Sequence, residues 1–474
     1  MSERSIELDK SLEVHTTPIE GLVWYDLPVR GDARGWFKEN WQREKMLALG
    51  LPDFGPVQNN VSFNAKAGVT RGLHAEPWDK YVSLGSGRIF GAWRDIREGS
   101  PTFGETFTLE MSPDRAIFVP RGVANGFQAL EDNTVYMYLV NDHWSAEPAK
   151  DTYSFINLAD PTNNIDWPIP LGEAEISDKD KNHPDFNNAV IIAPKKVLIT
   201  GANGQLGRAF QQLYPEADCI DRDTLDISDY TALAGARRWR DYGLILNAAA
   251  YTNVDGAETA EGRADAWAAN ATAAANLARI AIDYGITLVH VSSDYVFDGT
   301  KPIHDENESF SPLSVYGASK AAGDIAVSTV PQHYIARTTW LIGDGGNFIK
   351  TMQSLAERNV KPTVVNDQIG RLTFTTTLAG ALKYLVDSKA PFGTYNVTNS
   401  GESTNWAEIA ADVYEKSGKP RDDVIPVTTA EYYKGKDGVA PRPLQSTMSL
   451  DKLEATGYSP TDWRDEFNSY LEEK

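Results

Sequence analysis

"KKVLITGANGQLG", residues 195–207, runs a short apolar strand into a turn carrying Gly201, Gly204 and Gly207. The segment KVLIT has the continuous apolar character of a strand buried on both faces. QLGRAFQQL reads as the helix that follows, and Asp221 stands fourteen residues after Gly207. Strand, glycine turn, helix and later carboxylate make a dinucleotide-binding fingerprint: the glycines let backbone approach a pyrophosphate at the helix N-terminus, and the carboxylate meets a ribose hydroxyl. Expected cofactor contacts are Gly201, Asn203, Gly204, Gln205, Leu206, Gly207 and Asp221, extended to Asp226, Ala248 and Ala249. Arg222 beside Asp221 suits a 2′-phosphate equally, so NADH and NADPH both stay open.

Beyond Lys195, "LILNAA" and "TLVHVSS" repeat the buried-strand pattern, with the alanine-rich "AETAEGRADAWAANATAAANLARIAIDYG" between them as a long helix. This alternation predicts a doubly wound parallel sheet, with a small domain built from segments around 340–370 and 395–440. Tyr316 and Lys320, in "VYGASK", are four apart and share one helix face, where an ammonium stabilises a phenolate and holds a nicotinamide ribose. Ser292 and Ser293 close the preceding strand, and Ser293 is placed to polarise a carbonyl while Tyr316 donates a proton.

Residues 12 to about 170 have a different rhythm, of short alternating runs such as "YVSLGSGRIFGAWRDIREGS" and "NTVYMYLV" separated by turn signals. Spacing near ten residues predicts an antiparallel sandwich or barrel. The periodicity lapses between Leu171 and Pro194, which reads as a tail and linker. Within "GVTRGLHAEPWDK", His74 is a candidate base with Arg71 and Lys80 close by; no second histidine stands at ligand spacing, so no metal is expected there.

The totals narrow the classes. A chain of 474 residues exceeds what one core usually serves. Cys219 is the single cysteine, which excludes an internal disulfide and a cysteine-rich zinc site. A formal charge of -21 argues against nucleic acid or acidic membrane as partners. The opening "MSERSIELDK" lacks the apolar segment of a secretory signal, so a cytoplasmic location is expected.

Taken together, "NAAAYTNVDGAE" (247–258), "SSDYVFDG" (292–299), "YGASK" (316–320), "RTTWLIGDGGNF" (337–348) and "VVNDQIGRLTFT" (364–375) resemble the extended short-chain dehydrogenase/reductase family, and within it the dTDP-4-dehydrorhamnose reductases. The resemblance implies that Val254, Asp255, Trp340 and Asn347 lie near a sugar nucleotide, and that magnesium, with ligands unassigned, can bridge subunits. Ser293 stands where that family usually has threonine, which keeps the hydroxyl.

The front half resembles the dTDP-4-dehydrorhamnose 3,5-epimerases through "DARGWFKE" (32–39), "VQNNVS" (57–62), "GVTRGLH" (68–74), "RDIREGSPTFG" (94–104), "IFVPRGVANGF" (117–127), "DPTNNIDWP" (160–168) and "ISDKD" (176–180). That resemblance implies a metal-free cupin-like jelly roll in which His74 removes protons, Asp160 holds its imidazole, Tyr138 returns a proton and Lys80 steadies the enolate. Arg34, Arg71, Asp95 and Asn125 would contact substrate. Tyr136 is the rival to Tyr138. Asn125 replaces a usual histidine, Ala75 and Glu76 replace a usual Tyr-Gln, and an aromatic pair is reduced to His143 and Trp144.

The expected architecture is therefore multidomain: an all-β cupin-like jelly roll (1–175), a tail and linker (176–194), and an α/β Rossmann-type doubly wound sheet with a small substrate-binding subdomain (195–474). The implied function is a bifunctional one, epimerising a dTDP-linked 4-keto-6-deoxy sugar at C3 and C5 and then reducing C4 with NADH or NADPH, in a homodimer. The alternatives are a reductase carrying an inactive or structural front domain, and the same chemistry on another nucleotide deoxysugar.

Overall fold

The structure, a computed structural model, describes residues 6–143 and 153–472. The chain divides into two units, Met1–Pro194 and Lys195–Lys474. Trp144 lies outside the described residues.

Short alternating runs build the first unit. Its strands are β1 (Glu13–Thr16), β2 (Val23–Asp26), β3 (Val29–Asp32), β4 (Gly35–Lys38), β5 (Gln58–Asn64), β6 (Thr70–Ala75), β7 (Lys80–Ser86), β8 (Ile89–Asp95), β9 (Thr106–Met111), β10 (Arg115–Val119), β11 (Val123–Ala129), β12 (Thr134–Val140) and β13 (Ser154–Phe155). One sheet runs in the order β1-β2-β10-β7-β12-β5 and a second in the order β13-β6-β11-β8-β9, while β3 and β4 form a separate hairpin. Val82 and Leu84 of the first sheet meet Trp93 and Phe127 of the second in a shared core. Inward residues alternate with outward ones, as a jelly roll requires.

Residues 176–194 are not the free tail and linker that their lapsed periodicity suggests. Pro184 O accepts from Asn157 N at 2.8 Å, Ile192 O accepts from Glu98 N at 3.0 Å, and Ile192 N donates to Ile96 O at 3.0 Å. Ile192 is buried, and Ile176 and Phe186 pack against the same cluster on the second sheet. These apolar residues are too irregularly spaced to show a period, yet each covers a separate piece of the sheet's outer face.

In the second unit, β14 (Lys196–Thr200), β15 (Asp218–Ile220), β16 (Tyr242–Asn247), β17 (Thr287–Ser293), β18 (His333–Thr338) and the strand Gly393–Asn396 lie in the order β15-β14-β16-β17-β18 and then Gly393–Asn396. All pairings are parallel. Neighbouring residues on a strand face opposite ways: Ile199, Leu246 and Val289 pack on one side and Leu198, Ile245 and Leu288 on the other. Both faces are covered, which is why these strands are apolar throughout. The strand order reverses at β14, which opens a crevice at the carboxyl ends of β14 and β16.

A third cluster joins Ile342, Ile349, Phe374, Ile409 and Tyr414 to Trp463 and Phe467. The small subdomain thus also recruits the helix Trp463–Glu472, beyond the 395–440 segment expected for it. Trp463 and Phe467 are four apart and present one apolar face to it.

Candidate active sites

The glycine turn explains the first crevice. Gly201 has φ +64°, and a Cβ there would stand 2.7 Å from the Ala249 backbone; a Cβ on Gly207 would stand 2.2 Å from the Gly201 carbonyl oxygen. These two glycines let the turn, the helix Gln205–Leu213 and the segment after β16 close on one another. Gly204 differs, since a Cβ there meets just the Gly201 oxygen at 3.2 Å. A cavity of about 310 Å³ opens beside them, lined among others by Gly201, Gly204, Asp221, Asp226, Ala248 and Ala249. Asp221 accepts from Asn203 N at 2.9 Å, which pins the carboxylate at the rim. Asp226 accepts from Ser228 N and Oγ. Gln205 donates to Gly346 O at 3.4 Å. Leu206, the second residue of the helix Gln205–Leu213, buries its side chain in the core and leaves its backbone N–H in the first turn.

Ser314 caps the helix Val315–Val327 and brings Tyr316 and Lys320 under the end of β17. Burial pushes the Tyr316 phenol up to about 12, opposed by its hydrogen bond with Ser293. It therefore stays protonated, a donor. Lys320 is buried and donates to Val291 O at 2.6 Å. Burial pulls its ammonium down to about 8, and Asp324 acts against that fall. Asp324 is ion-paired with Arg337 at 3.1 Å. Ser293 Oγ also donates to Asp294 at 2.8 Å, and Ser446 donates to the other Asp294 oxygen at 2.5 Å.

The residues expected near a sugar nucleotide differ in their partners. Asp255 is held by Arg442 at 2.8 Å and by Ala440 N at 3.0 Å, with Val254 half-buried beside it. Trp340 stacks on Trp406 with ring centroids 4.1 Å apart. Asn347 does not offer a free amide: it accepts from Lys350 N as the cap of the helix Phe348–Glu357 and donates to Gly343 O and Tyr470 Oη. Capping uses the group that substrate binding would need.

In the first unit, His74 on β6 lies opposite Asn125 on β11. Its Nε2 is 2.9 Å from Asp180 Oδ1, so the carboxylate partner is Asp180 and not the expected Asp160. Asp160 instead accepts from Thr162 N at 2.8 Å and Phe186 N at 2.7 Å, capping a turn with both oxygens. Burial pushes the Asp180 carboxyl up, but the His74 hydrogen bond and the neighbouring histidines more than offset it and hold it below the usual range. An ionised Asp180 must accept, so Nε2 carries a ring proton, and in the neutral imidazole the lone pair is then on Nδ1.

Lys80 is buried between Glu76 at 2.5 Å and the Asn125 carbonyl at 2.8 Å, and its ammonium stands 5.4 Å from the centre of the Tyr138 ring. The two replacements that stand out in the sequence thus share one partner. Burial, then Glu76, pushes the Tyr138 phenol up to about 12. Tyr136 is stacked on Phe127 at 4.2 Å and buried in the core, which leaves Tyr138 the more open of the two. Arg71 donates to Asn64 and acts electrostatically on Tyr138.

Two expected substrate contacts do not join this group. Asp95 is fully buried and takes hydrogen bonds from Arg97, Ser100 and Thr102, so its oxygens are already used. Arg34 has an 89% exposed side chain at the β3–β4 hairpin, paired with Asp32.

Comparison with known proteins follows the same division. Residues 195–474 match the family described as the RmlD substrate binding domain, and residues 16–188 match dTDP-4-dehydrorhamnose 3,5-epimerase. An RmlC homolog from Streptococcus pyogenes is 51% identical over 37% of this chain and 90% of its own length. The chain belongs to both families.

For the reductase unit, a dTDP-4-dehydrorhamnose reductase from Aggregatibacter actinomycetemcomitans is 35% identical over 57% of this chain and 96% of its own. A crystal structure of such a reductase from Bacillus anthracis, in complex with NADP, is 34% identical with a TM-score of 0.54, covering 59% of this chain and 100% of that one. Sequence reading missed Asp180, Asp294 and Glu76 as site groups. Asp294 carries a visible signal, an acid directly after a buried strand, whereas Asp180 lies in a segment without periodicity. Among the described residues, no cluster of three or more metal-ligand groups lies in the reductase unit, and the expected magnesium gains no support.

Proposed function

We propose that the chain is a bifunctional enzyme that epimerises dTDP-4-dehydro-6-deoxy-D-glucose at C3 and C5 and then reduces the C4 ketone with NADH or NADPH to dTDP-L-rhamnose. The observation that carries this reading is that each unit sets a tyrosine beside a buried lysine: Tyr138 by Lys80, whose partner Asn125 lies opposite His74, and Tyr316 one helical turn before Lys320. In a 4-keto sugar the hydrogens at C3 and C5 are acidic because the carbonyl takes up the charge. His74 Nδ1 removes each proton while Asp180 holds the ring, the Lys80 ammonium stabilises the enolate oxygen, and protonated Tyr138 returns a proton. Glu76 and Asn125 keep that ammonium in place.

In the reductase unit, Gly201, Gly204, Asn203 and Asp221 fit a dinucleotide, since the turn leaves room at Gly204 and the carboxylate stands at the rim of the cavity. The bound nicotinamide supplies a hydride. Tyr316 donates a proton to the C4 oxygen, Ser293 orients that oxygen, and Lys320 favours the phenolate left behind. Asp221 favours NADH through the ribose hydroxyl, while Arg222, also on the cavity wall, admits a 2′-phosphate. Val254, Asp255 and Trp340 remain the proposed sugar-nucleotide side.

A homodimer through the epimerase unit fits as well. Strand β5 is an edge strand, and its Val61 and Phe63 are 62% and 58% exposed, a surface that a second copy would cover. No helix among the described residues is long and apolar enough to cross a membrane. A cytoplasmic location agrees with a nucleotide-sugar substrate.

The test is product analysis with the 4-keto sugar nucleotide in heavy water. Without reduced cofactor, deuterium should enter C3 and C5; with it, the reduced L-sugar should accumulate. Absence of enzyme-dependent exchange, with reduction of pre-epimerised sugar intact, would leave a reductase with an inactive partner domain.

A further inference from the structure

The first unit holds a group that the epimerisation reading does not use. His183 follows Asp180 by three residues and its side chain is 6% exposed; the Gly72 backbone is the hydrogen-bonding group that acts on its ring, through a contact too poorly aligned to satisfy either nitrogen fully. With the ring N–H turned to that backbone, the lone pair on the other nitrogen is buried without a donor, a position suited to a metal ion. His183 Nε2 is 3.7 Å from Asp180 Oδ1, the oxygen that His74 Nε2 approaches to 2.9 Å. Ligand atoms from His74, Asp180 and His183 all lie within 4.8 Å of one another. The two imidazoles meet edge to face, 5.5 Å between centroids.

We propose that His74, Asp180 and His183 bind a divalent transition metal ion of the zinc type, and that its binding silences the epimerase unit while the reductase unit continues to work. Two imidazoles and one carboxylate are a donor set suited to zinc. With bonds of about 2.0–2.2 Å, tetrahedral ligand atoms sit roughly 3.3 Å apart, within a small ring rotation of what is found here. His74 keeps a 32% exposed side chain, which leaves the ion a route in and an open coordination position.

Silencing follows from tautomer chemistry and rests on His74 being the base. A neutral imidazole has one N–H and one lone pair. When the metal takes the lone pair on Nε2, the ring proton moves to Nδ1, and nothing remains to accept a proton from C3 or C5. No bond in the sugar changes, and removal of the metal restores the base. The sequence conceals this site because its first ligand stands 106 positions before the second.

The test uses the full chain, stripped with a chelator, and Co2+ and Zn2+ as probes. One Co2+ per chain should bind with visible d–d absorption, and His183→Phe and His183→Gln should each weaken Zn2+ by at least about 10-fold. Saturating Zn2+ should abolish C3 and C5 exchange reversibly by chelation, and leave reduction of separately supplied epimerised sugar unchanged. Each His183 variant, compared with its own metal-free rate, should keep exchanging at the Zn2+ concentration that silences the parent. Equal Zn2+ affinity in parent and both folded variants, or equal inhibition, overturns the site. Loss of reduction in parallel with exchange overturns the selective silencing. A metal-free chain with no exchange defeats the epimerase reading instead, and metal binding still decides the site.

Discussion

The reductase site is written along the chain, and the epimerase site across it. Gly201, Gly204 and Gly207 fall within seven residues, and Tyr316 and Lys320 within one helical turn and a half, so local geometry alone brings each set together. His74, Lys80, Asn125, Tyr138 and Asp180 come from four strands and a short helix, and sheet register assembles them. The difference teaches where each site is vulnerable: the first to changes in a turn, the second to changes in packing far from the base.

The sharpest test of that division exchanges the losses. His74→Ala or Asp180→Asn should reduce deuterium exchange by about 10²–10⁴-fold while leaving reduction of pre-epimerised sugar within a few-fold, and Tyr316→Phe should do the reverse. Reduction at near-normal rate in the Tyr316 variant would remove it from the proton-donor role.

Next comes the turn itself. Gly207→Ala forces a methyl to 2.2 Å from backbone and should cost the reductase unit roughly 1–3 kcal/mol, read as a lower unfolding midpoint. Gly204→Ala meets little in the free protein, so its folding should survive and its cofactor affinity should fall, by about tenfold for a lost close approach. Equal cofactor affinity in folded Gly204→Ala would move the pyrophosphate elsewhere.

A smaller effect concerns pH. The Lys320 ammonium, pulled down to about 8 by burial, is lost as pH rises through that value, so reduction should decline on the basic side near pH 8. Because Asp324 raises Lys320 against that pull, Asp324→Asn should move the decline to lower pH; a profile unmoved in the variant would uncouple the pair.

The smallest effect separates two aspartates. Asp160→Ala removes a turn cap and should cost about 1 kcal/mol of stability with exchange near normal, unlike the change at Asp180. Strong loss of exchange with an unchanged unfolding midpoint would return Asp160 to the site.

Both fold classes were legible in the sequence, because buried parallel strands and half-buried antiparallel ones differ in period, and Lys195 marks the change. Contiguous motifs such as the glycine turn were legible for the same reason. Asp160 and Asp95 misled because an aspartate that caps a turn or satisfies Arg97 looks, in one dimension, like one that serves a ligand. Asp180 was hidden by a segment whose Ile176, Phe186 and Ile192 bury singly and show no rhythm.

That same segment decides how the two activities can be parted. A cut after residue 175 would keep every described strand of the two sheets and discard the carboxylate that fixes the tautomer of His74, leaving a domain whose base is unset. The severable joint is the peptide between Pro194 and Lys195, so recombining this epimerase with another partner must carry those last nineteen residues along.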